Sequence, residues 1–141
     1  MANYDPSQVT ASLGGVPIIG FADDTFLVLE QSEVAYEVVM GVDGQYVRIK
    51  KPGSLIWTCT MTLMQSSPHN AVLSALHQLD TRTLNGAGIV PFVMADASGT
   101  TVFSSAESWV QGFPSQTFGS SHNGKPWVVT AIKPDVVVGG N

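Results

Sequence analysis

Charge is scarce in this chain: six Lys and Arg and eleven Asp and Glu make up 12% of 141 residues, against about 25% in an ordinary soluble domain. Few charges remain to coat a free surface. Either Ser, Thr, Asn and Gln do the solvating, or other subunits cover much of the surface. The net charge of -5 and a pI near 4.8 speak against stable binding to nucleic-acid phosphates. A single cysteine, Cys59, excludes an intrachain disulfide and a thiolate zinc cluster. No apolar run is long enough to span a bilayer, so no membrane association is expected. The opening MANYDPSQVT has no basic segment followed by an apolar stretch, so no signal peptide is expected and synthesis in the cytoplasm is.

Chemical motifs are equally scarce. His69 and His77 stand eight residues apart on the expected helix, too far to share a metal, and His122 lies in a Gly-Ser-Asn loop. The adjacent acids Asp23 and Asp24 point to opposite sides of an extended chain and read as a turn. Gly86-Ala87-Gly88 has no following Lys-Ser for a phosphate loop and reads as a helix exit. No serine stands in a nucleophile-elbow pattern. No catalytic, cofactor-binding or metal-binding residue is assigned, and no cofactor is expected. A hydrolytic site assembled from Asp23, Asp24 and a histidine is the enzymatic alternative.

What the chain does have is period-two patterning. From Ser54 to Met64, Leu55, Trp57, Cys59, Met61 and Leu63 alternate with Ile56 and a run of threonines, which predicts a strand with one apolar face. Cys59 reads as a small hydrophobe on that face. Val34 to Val42 and Gln45 to Lys51 flank Asp43-Gly44, a dipeptide favoured in two-residue type I′ turns. Pairing outward from that turn sets Val42 against Gln45, Met40 against Val47, and Glu37 against Lys50. Ser67 and Pro68 open a helix over about residues 68–84, with Val72, Leu73, Leu76 and Leu79 on one stripe. Leu55, Trp57, Cys59, Met61, Leu63, Leu73 and Leu76 are the candidate core. Further strands are expected at Phe26 to Ser32, Ile89 to Ala95, Thr101 to Phe113 and Trp127 to Lys133. One domain over 1–141 is expected, with residues 1–16 and 134–141 as flexible arms able to order on a neighbour. The pattern is mainly β with one helix.

Several segments together resemble the tail tube proteins of contractile-tailed bacteriophages and related prophages. They are Tyr4-Asp5-Pro6-Ser7-Gln8-Val9, Gly20-Phe21-Ala22-Asp23-Asp24-Thr25-Phe26, Gly41-Val42-Asp43-Gly44 and the stretch from Thr62 to Asn70. Trp109 and Trp127 extend the likeness, while Glu33-Val34-Ala35-Tyr36 is less acidic than the family's version. The resemblance implies an antiparallel β-sandwich or small barrel with one flanking helix. It also implies self-association into hexameric rings that stack into the inner tube of a contractile tail, with tail sheath, tape-measure and baseplate proteins as partners. DNA would pass transiently without specific binding, and the protein would reside in the virion tail after synthesis in the host cytoplasm. Asp43, Gly44, Gln45, Tyr46 and Arg48 are the candidate contact between subunits. The alternatives are the inner tube of a contractile injection system or bacteriocin particle, and a monomeric tail-tip β-sandwich that binds a ligand or receptor.

Overall fold

The computed structural model describes residues 3–140. In chain order it contains β1 (Val9–Leu13), β2 (Val16–Pro17), β3 (Leu27–Gln31), β4 (Tyr36–Met40), β5 (Tyr46–Lys50), β6 (Ile56–Leu63), α1 (His69–Arg82), β7 (Val90–Asp96), β8 (Val102–Gly112), β9 (Lys125–Ile132) and β10 (Asp135–Val137). Eight strands form one antiparallel sheet in the order β2-β1-β7-β8-β9-β6-β3, with β10 on β8, while β4 and β5 pair only with each other. The fold is therefore mainly β with one flanking helix, as the sequence implies. Ile132 faces Glu107 and Asp135 faces Ser104, so β9 and β10 run along β8 in one continuous register. The kink between them falls at Lys133, whose φ is +47°.

Alternation explains the core. Ala11 and Leu13 of β1, Cys59, Met61 and Leu63 of β6, Phe92 and Met94 of β7, Phe103 and Val110 of β8, and Trp127, Val129 and Ala131 of β9 are buried in one cluster. The sets of β1, β6, β7 and β9 occupy alternate positions, and in β8 the alternation changes phase between buried Ser105 and Ser108, where its register with β7 shifts, so one face of the sheet supplies nearly the whole interior. The sheet is rolled. Val9 of β1 and Met94 of β7 line a cleft with Phe26 and Leu27, although β3 and β1 lie toward opposite ends of the strand order. The result is an open barrel. Helix α1 packs against it through Leu73, which is fully buried, and through Asn70, whose Oδ1 accepts a 2.9 Å hydrogen bond from the Trp127 indole N–H. Asn70 Nδ2 also donates to the carbonyls of Met64 and Ser67, which fixes the turn that starts the helix.

Three sequence expectations need correction. Leu55 is not core: Pro52–Leu55 form a short 3-10 turn, β6 begins at Ile56, and Leu55 is 39% exposed. Residues 1–16 are not a free arm, because β1 is hydrogen-bonded to both β2 and β7 and buries Ala11 and Leu13. The far end is likewise held, with β10 paired to β8; Met1, Ala2 and Asn141 fall outside the described residues. The helix expected over about residues 68–84 is present as His69–Arg82, capped by Pro68 and ended at Thr83, which is extended (φ -117°, ψ 163°) and whose N–H closes back on Leu79.

Trp127 is the largest fully buried side chain. Trp57 is only partly buried and meets Phe103 edge-on at 5.7 Å. Trp127→Ala should cost about 3–5 kcal/mol in urea unfolding, because it leaves a cavity and removes the partner of Asn70. Trp57→Ala should cost less. Equal midpoint shifts for the two variants would contradict this assignment of the core.

Candidate functional site

The hairpin β4–β5 stands outside the barrel, and every residue of both strands is exposed. Its register is Tyr36↔Lys50, Glu37↔Ile49, Val38↔Arg48, Val39↔Val47 and Met40↔Tyr46, one residue away from the pairing expected for a two-residue turn. The turn chemistry explains the shift. Gly44 N–H donates to the Gly41 carbonyl at 3.1 Å, Gly41 N–H donates to the Gln45 carbonyl, and Gly44 has φ +87°. This is a three-residue loop in which a left-handed glycine makes a bulge, and Asp-Gly suits it as well as it suits a type I′ turn. Asp43 Oδ1 accepts from the Gln45 N–H at 3.2 Å and steadies the loop.

A one-residue shift changes every cross-strand neighbour. Glu37 meets Lys51, not Lys50, at 2.7 Å, and the hydrogen bond from that ammonium holds the Glu37 carboxyl below its usual range. Arg48 lies over the Tyr36 ring, 4.1 Å from its centre. Tyr36, Val38, Met40 and Tyr46 now share one face with Arg48 and Lys50, while Val39, Val47 and Ile49 share the other with Glu37. Both faces carry exposed apolar side chains beside these charges. Met40 is 63% exposed, Tyr46 69% and Val47 62%.

Asp43, Gly44 and Gln45 thus shape the hairpin tip, while Tyr46 and Arg48 lie on one face of the strands. Val38, Val39, Met40, Val47 and Ile49, absent from the sequence-based set, carry the exposed apolar area. Their signal was present in the strand pattern. The expected register collected most of these residues on one face and left Val39 on the other.

Two of the three histidines make structural contacts. The Ile19 N–H donates to His69 Nδ1 at 3.3 Å, and His77 Nδ1 meets the Val110 carbonyl at 3.2 Å beside the Phe113 ring. His122 is exposed. Asp24, at φ +63°, lines a cleft of about 350 Å³ with Asp96 and Tyr4, and no histidine lines it. Asp96 Oδ1 accepts from the N–H and hydroxyl of Ser98, which organises the β7–β8 turn. Among the described residues no three His, Cys, Asp or Glu side chains gather to hold a metal. Of the basic residues, Lys125 is neither paired with an acid nor turned outward; it is buried.

Comparison with known proteins places this geometry. No family model matches the chain. A protein named structural protein ORF10, from Pseudomonas phage KPP10, is 26% identical over 146 residues, covering 99% of this chain and 84% of that protein. Among solved structures, the tube-terminating cap of the anti-feeding prophage superposes with a TM-score of 0.63 at 7% identity, covering 97% of this chain and 92% of that one. The sheath/tube terminator of the extracellular contractile injection system PVC, in its extended state, gives 0.60 at 10% identity, covering 98% and 99%. The chain is therefore similar in sequence to a phage structural protein and shares its fold with terminators of contractile systems. The tail tube itself is not among these neighbours.

Cys59 carries a test of the buried face. It has no exposed surface, and burial pushes its thiol up to about 12. Labelling by an aromatic disulfide at pH 8 should proceed no faster than global unfolding and should accelerate with urea. Rapid labelling of the folded protein would show that β6 opens locally.

Proposed function

We propose that this protein is a self-associating structural subunit of a contractile phage tail, forming hexameric rings on the tube axis, with the β4–β5 hairpin docked against neighbouring subunits. The observation that carries this reading is the two-faced apolar hairpin. A two-stranded hairpin is marginal in water by itself, and apolar residues on both faces call for cover on both sides. A closed ring supplies a neighbour for every copy. The low charge content fits a surface of which much is covered. Similarity to a phage structural protein along nearly the whole chain supports a place in the virion.

Stacked rings would form a tube that conducts DNA and meets sheath, tape-measure and baseplate proteins. The shortage of basic side chains suits a conduit to which phosphates do not adhere. A second reading is a ring that ends the tube, favoured because both solved neighbours are terminators. Electron microscopy of the purified protein separates the two: stacked rings of open length support the tube, and single rings support the terminator. A protein that stays monomeric at all concentrations would overturn both.

The double variant Val39→Asp/Val47→Lys tests the hairpin. It places opposite charges directly across the ladder, so the pairing survives while that face becomes polar. The folded subunit should change by no more than about 0.5 kcal/mol, as exposed sites do. Rings should be lost in micrographs. Undiminished rings would place the subunit contact elsewhere.

A further inference from the structure

Lys125 opens β9 but is only 6% exposed, and its ammonium has no hydrogen-bond partner among the described residues. A buried cation without an acceptor is among the costliest arrangements a chain can hold. The ring of Phe118 lies 4.7 Å from the ammonium and offsets part of that cost. Phe118 is itself 76% exposed, on a segment without regular structure between β8 and β9. Lys125 and Phe118 line a cavity of about 340 Å³ with Gln65, Asn70, Ser74 and Gln116, beside the first turns of α1. The start of that helix adds a field favouring negative charge.

We propose that this cavity is an anion site that receives the carboxylate of an Asp or Glu side chain from a second copy of this chain. The proposal rests on the self-association argued above. Its chemistry follows from the lining: Lys125 is the one charged residue there, and the others are neutral, so a single carboxylate matches it. A nucleic-acid phosphate would bring further charges along its backbone, and no second cation lines the cavity to meet them. Carboxylates are the chain's surplus charge. Asp23, Asp24, Glu30, Glu33, Glu37, Asp43, Glu107 and Asp135 all lie exposed, and a charge-assisted bond to one of them would replace a weaker contact with an aromatic face. In the free subunit Phe118 occupies the place beside the ammonium; in the ring the carboxylate takes it.

Lys125→Met tests this with effects of opposite sign. In dilute, monomeric protein the variant should melt higher than wild type by roughly 4 °C or more, because a buried cation without an acceptor has been removed. Its association, followed by sedimentation, should weaken roughly tenfold or more. Neutralising the eight exposed acids singly (D23N, D24N, E30Q, E33Q, E37Q, D43N, E107Q, D135N) should identify one that reproduces the loss and adds nothing to Lys125→Met. A variant that melts lower, or that associates as wild type does, would overturn the site while leaving ring formation intact. So would the absence of any acid coupled to Lys125. Failure of the wild type to associate would overturn the site and the ring reading together.

Discussion

The hydrogen bond from the Trp127 indole to Asn70 ties the start of α1 to the centre of the sheet. Trp127 belongs to β9, which lies between β8 and β6, and its ring fills the interior beside Phe113. A buried indole N–H needs an acceptor, and the Asn70 amide supplies one while its nitrogen secures the turn that begins α1. That side chain fixes the start of the helix, and the His69–Ile19 and His77–Val110 contacts hold it further along. Leu73 then falls into the core, and Asn70 and Ser74 come to line the cavity that Lys125 enters.

Beyond the barrel, the governing constraint is an excess of apolar surface over charge. The hairpin exposes apolar residues on both faces, yet its geometry is well specified by the Gly44 bulge and the Glu37–Lys51 pair. An element that is locally determined but uncovered is what a subunit contact requires before assembly. The phage structural relative and the two terminator folds are consistent with that use. They give the proposed association its setting, and the exposed apolar hairpin gives the proposal its physical reason.

Legibility in the sequence followed the range of the interactions involved. The strand of β6 could be read because threonine on one face and apolar side chains on the other alternate within eight residues. The helix was equally readable from Ser67, Pro68 and its leucines. The place of β1 was not, because Ala11 and Leu13 are buried against β7, some eighty residues later, and nothing in a Gly- and Ser-containing start announces that partner. The hairpin was recognised but its register was missed, since Asp-Gly serves both turn types and the choice depends on Gly41 and Gln45 closing the bulge. Lys125 was invisible as a buried group. Its burial depends on the segment carrying Phe118 and on helix α1, neither of which marks the lysine in sequence.

The central claim is that the exposed hairpin is the surface through which copies of this chain associate. Hydrogen exchange measured across a concentration series tests it most directly. The account predicts that amides of Tyr36–Met40 and Tyr46–Lys50 exchange quickly in dilute protein and become strongly protected as rings form, while the already protected strands β6 and β9 change little. Association accompanied by a hairpin that continues to exchange as fast as in the monomer would contradict the account.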